Sequence, residues 1–132
     1  RGSFADLGCG SGVLSIAAAK LGFEPVVAVD NELAALEATR ENAAANGVTL
    51  AAVERHNLRE TPAPMARTVA ANLMRPLLLR VADLLGEPPG ALILSGLLEE
   101  EADEVTAAFA PLGLRRRLSS QGWSAVLLSP SD

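Results

Sequence analysis

Apolar positions along this chain fall into two alternating patterns. Short runs rich in β-branched or small apolar residues are typical of buried strands, and they occupy residues 4–7, 25–29, 48–54, 68–71 and 91–94. Between these runs, apolar residues recur every three or four positions, as on one face of a helix. This spacing predicts helices over residues 13–21, 31–46, 75–85 and 98–112. The alternation predicts a parallel sheet covered by helices.

The C-terminal part of the chain has a different pattern. Residues 114–119 and 123–128 have the composition of two strands joined by the turn Ser120–Gly122, which predicts a hairpin. The predicted fold class is therefore α/β. It is a Rossmann-like, seven-stranded, mostly parallel sheet with a C-terminal antiparallel hairpin and helices on both faces.

Composition and charge narrow the functional classes. The 132 residues are 49% hydrophobic and 20% charged, which predicts one globular domain over residues 1–132. The chain has a single cysteine, no apolar run long enough to cross a bilayer, and no opening signal peptide, so we expect a cytoplasmic protein without membrane contact. The net charge is −5 and the one basic run is Arg115–Arg117, so we expect no direct binding to nucleic acid. That run is expected to be a solvated strand edge or a helix-to-strand corner and not a phosphate site.

The segment DLGCGSG, residues 6–12, carries the first candidate chemistry. It links the first predicted strand to the first predicted helix, at the sheet edge where α/β proteins bind ligands. A dinucleotide G-x-G-x-x-G motif is not satisfied, because its sixth position is Val13 or Ser15, and no Gly-Lys pair completes a phosphate-binding loop. The spacing is instead similar to the first-strand loop of S-adenosylmethionine-dependent methyltransferases, with the pattern residues Asp6, Gly8, Gly10 and Gly12.

Asp30 is the second candidate. It ends the second predicted strand, 18 positions beyond Gly12, where a carboxylate can accept hydrogen bonds from both ribose hydroxyls of a nucleoside. The alternative role is to cap the next helix, and Asn31 can take that cap while Asp30 faces a ligand. A nucleotide-binding dehydrogenase is the weakest alternative because the dinucleotide motif fails.

Four longer segments resemble the catalytic domain of the PrmA-type ribosomal protein methyltransferases, which modify protein L-eleven of the large subunit. They are DLGCGSGVLSIAAAKLG (6–22), VVAVDNELAALEATRENAAANGV (26–48), VAANLM (69–74) and LILSGLLEEEADEV (92–105). Gly122-Trp123, followed by an apolar strand, is similar to that family's final hairpin, so the resemblance covers nearly the whole chain. The family also carries an N-terminal substrate-recognition domain, which residues 1–132 do not contain.

The resemblance implies S-adenosylmethionine as the cofactor. By analogy, Gly8, Cys9 and Gly10 would line its methionine part, and Asp6 would help to orient it. Asp30 would bind the ribose, Asn57 would lie near the adenine, and Asn72 would stand beside the reactive methyl group. The complete implied cofactor-binding set is Asp6, Gly8, Cys9, Gly10, Gly12, Asp30, Asn31, Asn57 and Asn72.

Asn72 is also the candidate catalytic residue. Its side-chain carbonyl can orient a neutral amine, although an asparagine after a strand is often only a turn former. The resemblance implies a protein amine as substrate, possibly on a large-subunit ribosomal protein. The alternatives are a methyltransferase for a small molecule or another protein, and a non-catalytic remnant that only binds the cofactor.

The other residues with reactive or charged side chains are expected to have structural and not catalytic roles. His56 is expected to be solvated and Trp123 to belong to the core of the hairpin, while Cys9 lacks a histidine partner that would activate it. With one Cys and one His, the sequence predicts no metal site. The glutamates at 99–101 and 104 are expected to form a solvated helix face.

Overall fold

A computed structural model describes residues 1–130 of the chain. The seven strands are β1 (Phe4–Leu7), β2 (Val26–Asp30), β3 (Ala52–Arg55), β4 (Thr68–Asn72), β5 (Ala91–Leu98), β6 (Gly113–Ser120) and β7 (Trp123–Ser129). The four helices are α1 (Val13–Lys20), α2 (Leu33–Ala45), α3 (Arg75–Asp83) and α4 (Ala102–Ala108), with a 3₁₀ turn over Glu99–Glu101.

All seven strands form one sheet in the order β3-β2-β1-β4-β5-β7-β6. Strands β1 to β5 pair in parallel, and β7 is antiparallel to both of its neighbours, β5 and β6. The predicted fold class is therefore confirmed. The strand order reverses between β1 and β4, so the carboxyl ends of β1, β2 and β4 meet at the switch point where such sheets bind ligands.

Helices cover both faces of the sheet. On one face, α3 and α4 bury Leu78, Val81, Val105 and Phe109 in the largest apolar cluster. On the other face, α1 contributes Ala18 to a cluster with Phe4, Val26 and Ala70, and α2 contributes Leu36 to a cluster with Cys9 and Ala28. Alternation along each strand produces this division, because successive side chains point to opposite faces. The rigid core holds the loops that follow β1, β2 and β4.

The element boundaries that differ most from the prediction are those of β3, β5 and the last helix. Strand β3 begins at Ala52 and not at Val48, because residues 48–50 form the exit from α2. Strand β5 continues to Leu98, which was predicted to start the last helix, because Leu98 still pairs with Trp123 of β7. The helix itself begins at Ala102, after the 3₁₀ turn.

Two side-chain predictions are wrong. Asn31 does not cap α2, whose N-cap is Glu32 with no side-chain cap bond. Trp123 is 55% exposed and therefore lies outside the core of the hairpin. It occupies the face of β7 opposite to Ser124 and Val126, which are buried.

The basic run is confirmed as an exposed strand edge. Arg115–Arg117 lies on β6, the last strand of the sheet. Arg115 donates to the hydroxyl of Ser129 at 2.6 Å, and Arg117 pairs with Asp103 at 3.1 Å. Over the described residues, none of the helices combines the length and the apolar character that a membrane span requires.

Candidate active site

A cleft of about 370 Å³ lies at the carboxyl ends of β1, β2 and β4. Its volume is within the range of roughly 300–1,000 Å³ that is typical of small-molecule sites. Its lining residues are Gly8, Asp30, Asn31, Glu32, His56, Asn57, Leu58, Arg59, Asn72, Leu73 and Leu77. Five of the nine residues implied by the resemblance therefore come together there, namely Gly8, Asp30, Asn31, Asn57 and Asn72. The structure places the other four, Asp6, Cys9, Gly10 and Gly12, in or behind the glycine loop and outside that lining.

The carboxylate of Asp30 joins two segments at the edge of the cleft. Its Oδ2 accepts a hydrogen bond from the backbone N–H of Gly10 at 3.0 Å, and its Oδ1 accepts one from Glu32 at 2.9 Å. The second bond is an Asx turn, in which the side chain bonds backbone two residues on. Each carboxylate oxygen has about two lone-pair positions, so Asp30 keeps acceptor capacity for a ligand.

Asp6 is buried behind the glycine loop and supports the start of α1. Its Oδ2 accepts one hydrogen bond from the backbone N–H of Ser15 at 3.1 Å and another from the Ser15 hydroxyl at 2.6 Å. Ser15 lies in the first turn of α1, where backbone N–H groups lack helical partners and the helix dipole favours negative charge. Burial raises the pKa of Asp6, while the bonds from Ser15 offset part of that rise. Asp6 thus acts on the cleft through the loop that it anchors.

Helix α2 clamps the glycine loop from the other side. Gly12 adopts a φ of +89°, and a Cβ atom there would lie 2.9 Å from Cγ2 of Thr39. The Thr39 hydroxyl donates to the carbonyl of Gly10 at 3.0 Å, with the Cys9 sulfur a second acceptor at 3.3 Å. Asn42 donates to the carbonyl of Ser11 at 2.8 Å. The loop conformation is therefore fixed by contacts that span about thirty positions of sequence.

Cys9 packs in this clamp as a neutral thiol. Burial raises its pKa, and the bond from Thr39 opposes only part of that effect. A buried thiol with a raised pKa is a poor nucleophile. The expectation of a small residue that fits the loop agrees with this position, in contact with Ala28 and Leu36.

Asn72 ends β4 and faces the cleft with a free side-chain amide. It pairs with Ser95 of β5 and is exposed. Among residues 1–130, no side-chain hydrogen bond involves the Asn72 amide, so its carbonyl and its amino group are both available to a ligand. Just beyond it, Arg75 at the start of α3 forms a two-pronged ion pair with Glu104 of α4, at 2.5 and 2.8 Å.

Several residues that line the cleft were not predicted from the sequence to do so. His56 lines it and shares a hydrogen bond with the Thr61 hydroxyl at 3.1 Å, although it was expected only to be solvated. Arg59, Leu73 and Leu77 also line it. The Oδ1 of Asn57 accepts the backbone N–H of Arg59 at 3.0 Å, which leaves its amino group for a ligand. No spacing rule indicates these positions, because they lie in the irregular loop after β3, in the connection from β4 to α3 and in the first turn of α3.

The polar and apolar side chains that line the cleft are suited to a nucleoside with an attached polar chain. Asp30 offers a carboxylate for hydroxyls, Asn57 an amide for a base edge, and Leu73 and Leu77 an apolar wall. Within the part of the chain that the structure describes, no group of three His, Cys, Asp or Glu side chains is arranged to hold a metal ion.

The strand order and the position of the glycine loop define the fold of the class I S-adenosylmethionine-dependent methyltransferases. A 16S rRNA methyltransferase, RmtF, solved in complex with S-adenosyl-L-homocysteine, shares this fold with a TM-score of 0.75 at 21% identity, over 98% of this chain and 56% of RmtF. A ribosomal protein L11 methylase from Lactobacillus delbrueckii subsp. bulgaricus superposes with a TM-score of 0.86 at 27% identity, over all of this chain and 71% of that structure.

The family model of the ribosomal protein L11 methyltransferase (PrmA) matches residues 1–129, so the chain belongs to the PrmA family. The ribosomal protein L11 methyltransferase of Azotobacter vinelandii is 43% identical over 128 residues, which cover 94% of this chain and 44% of the relative. The chain thus spans less than half the length of the curated relatives that it matches.

Proposed function

We propose that this chain binds S-adenosylmethionine in the cleft and transfers its methyl group to a protein amine, with ribosomal protein L11 as the substrate. Membership of the PrmA family supports the reaction and the substrate. The side chains that line the cleft support the assignment of S-adenosylmethionine as the cofactor. A ribosomal substrate also assigns the proposed reaction to the cytoplasm.

The proposed cofactor contacts follow from the acceptors and donors that remain free. The Asp30 carboxylate accepts hydrogen bonds from the ribose hydroxyls while it still accepts those from the backbone N–H groups of Gly10 and Glu32. The Asn57 amino group donates to the adenine, and Leu77 packs against the ring. Gly8 has no side chain, so its backbone lets the methionine part approach the carboxyl end of β1. Asp6 and Thr39 keep the loop in the shape that these contacts need.

The chemistry demands little covalent participation from the protein. The bound cofactor supplies a methyl group on a positively charged sulfur, ready for in-line displacement. The chain has to hold the acceptor nitrogen in line with that methyl group, which is a proximity effect. A lysine amine has an unperturbed pKa of about 10.4, so the acceptor must first lose a proton. The Asn72 carbonyl accepts a hydrogen bond from the neutral amine and orients its lone pair, and the lost proton passes to water.

One observation carries the proposal. A carboxylate with spare acceptor capacity and an amide without a side-chain hydrogen bond line the same cleft, at the ends of β2 and β4 on either side of β1. A dehydrogenase site lacks this support, because the third glycine of the dinucleotide motif is missing from the loop.

Calorimetric titration of the chain with S-adenosylmethionine, S-adenosyl-L-homocysteine and NAD⁺ tests the cofactor assignment. We expect micromolar binding of the first two and no binding of NAD⁺. Incubation with methyl-labelled S-adenosylmethionine and purified ribosomal protein L11 then tests the substrate. Cofactor binding without label transfer to L11 would favour another acceptor or a non-catalytic remnant. Binding of NAD⁺ alone would overturn the proposal.

A further inference from the structure

Gly96 and Asn72 make a contact that only glycine allows. A Cβ atom at position 96 would lie 2.7 Å from Oδ1 of Asn72, closer than real Cβ atoms approach other heavy atoms. The same atom would lie 3.1 Å from the backbone oxygen of Leu73. The amide of Asn72 therefore occupies the space that any other residue at 96 would fill.

The backbone around Gly96 is shaped for this contact. In the pairing of β5 with β7, Leu94 pairs with Val126 but Leu97 pairs with Ser124, so two residues of β5 stand opposite Ala125 alone. This is a β-bulge, and Gly96 adopts a φ of +80° within it. Bulges with a left-handed glycine re-aim neighbouring groups and are frequent beside active sites.

The space left open at Gly96, and not a hydrogen bond to another side chain, admits the Asn72 amide at this position. None of the side-chain hydrogen bonds among residues 1–130 holds that amide. Gly96 also borders an open groove of about 310 Å³, whereas Asn72 lines the cleft. Their contact therefore joins a residue that borders the groove to a residue that lines the cleft.

We propose that Gly96 is a positioning residue for the acceptor amine, because the absence of a side chain at 96 sets the place of the Asn72 carbonyl oxygen. This inference rests on the proposed function, in which Asn72 orients the amine. Gly96 itself does not touch the acceptor. Its effect on methyl transfer passes through Asn72, so the two residues are expected to act as one unit.

Four variants test this coupling: Gly96→Ala, Asn72→Ala, the double variant, and Gly47→Ala. Gly47 is the matched control because it also has a positive φ, +67°, but no atom within 4 Å of its Cβ position, and it lies outside the cleft. For each variant we would measure methyl transfer to L11, the affinity for S-adenosyl-L-homocysteine, the melting temperature, and the side-chain amide signal of Asn72 in ¹⁵N NMR spectra.

We expect Gly96→Ala to shift the Asn72 amide signal and to lower kcat at least tenfold, while the affinity for S-adenosyl-L-homocysteine changes less than threefold. The double variant is expected to be no slower than Asn72→Ala, since coupled residues are non-additive. Gly96→Ala is also expected to melt below Gly47→Ala, and removal of the Asn72 side chain should recover part of that loss. This recovery keeps the test decisive even where Gly96→Ala alone folds poorly.

Three outcomes would overturn the inference. They are an unshifted Asn72 signal in Gly96→Ala, wild-type turnover in that variant, and fully multiplicative losses in the double variant. Failure of the proposed function looks different, because the unaltered chain would then bind no S-adenosyl-L-homocysteine or methylate no L11. In that case the amide signal and the thermal recovery still decide whether Gly96 positions Asn72.

Discussion

Oδ2 of Asp30 accepts a hydrogen bond from the backbone N–H of Gly10 at 3.0 Å and so ties the end of β2 to the glycine loop after β1. The two segments lie 20 positions apart in sequence. One carboxylate thus serves two purposes, since it holds the loop and also presents acceptors to the cleft. This double role makes Asp30 the residue whose loss should most affect the proposed cofactor.

We predict that Asp30→Ala lowers the affinity for S-adenosyl-L-homocysteine at least tenfold, which corresponds to about 1.4 kcal/mol. The variant loses the proposed ribose contacts and also frees the Gly10 N–H. Calorimetric titration measures the change, with Asp83→Ala as the control because Asp83 is exposed on α3, away from the cleft. Equal affinities for Asp30→Ala and the unaltered chain would remove Asp30 from the binding site.

Thr39 provides a second test of the loop clamp. Thr39→Val keeps the shape of the side chain but removes the O–H that donates to Gly10 at 3.0 Å. Loss of one such bond costs about 1 kcal/mol, so we expect the melting temperature to fall by roughly 3–5 °C. Cofactor affinity should fall as well, because the loop gains freedom that binding must then restrict.

Thr39→Ser is the matched control because it retains the hydroxyl and loses only the methyl group beside Gly12. Differential scanning calorimetry and cofactor titration compare the two variants. If Thr39→Ser weakens cofactor binding as much as Thr39→Val does, then packing against Gly12 and not the hydrogen bond holds the loop.

The fold was predictable because its signals are local. The spacing of apolar residues within a short window indicates each strand and helix. The parallel arrangement then follows from the alternation of strands and helices. Leu98 shows the limit, because a residue at helical spacing was kept in β5 by its pairing with Trp123 across the sheet. Trp123 shows a second limit of prediction from local sequence, since its position in a hairpin did not indicate which face of the sheet would be buried.

The residues of the candidate site also fall into two groups, those that could be predicted from the sequence and those that could not. Asp30 and Asn72 could be predicted from the sequence because each follows a strand directly, at the ligand-binding edge of the sheet. Thr39 and Gly96 could not, because their roles come from contacts with residues distant in sequence. A threonine inside a helix and a glycine inside a strand carry no sign of the loop or amide that they adjoin.

The buried pair of Asp6 and Ser15 leads to a pH-dependent prediction. Folding raises the pKa of Asp6 through burial, so protonation of Asp6 favours the folded state. This contribution is fully present below the unfolded pKa of about 3.9 and is lost as the pH rises through the folded pKa. Ser15→Ala removes the hydroxyl that donates to the carboxylate at 2.6 Å, so it should raise the pKa of Asp6 further.

We therefore predict that Ser15→Ala destabilises the chain by about 2 kcal/mol at a pH above the folded pKa of Asp6, where the lost bond is made to a charged group. The loss should shrink as the pH falls and Asp6 becomes protonated in both proteins. Urea unfolding at several pH values measures this, with Ser120→Ala on the exposed β6 as the control. A loss that does not vary with pH would show that the hydroxyl matters for packing and not for the charge of Asp6.

The ion pair between Arg75 and Glu104 holds the start of α3, just after Asn72, against α4. The hydrogen bonds from Arg75 lower the pKa of Glu104. The pair therefore stabilises the folded state above the unfolded pKa of Glu104, about 4.3, and this contribution is lost as the pH falls through the lower folded pKa. Both side chains are partly exposed, so solvent and salt should weaken the pair.

We predict that Glu104→Gln lowers the melting temperature slightly at pH 7, and that the difference disappears at a pH below the folded pKa of Glu104. High salt at pH 7 should reduce the difference as well, because it screens charges that remain exposed to solvent. Thermal melts of the variant and of Glu100→Gln, a control on the neighbouring turn whose side chain is exposed, measure both effects. A difference that persists in 1 M salt and at acidic pH would contradict an ionic origin. It would assign the contact between α3 and α4 to packing alone.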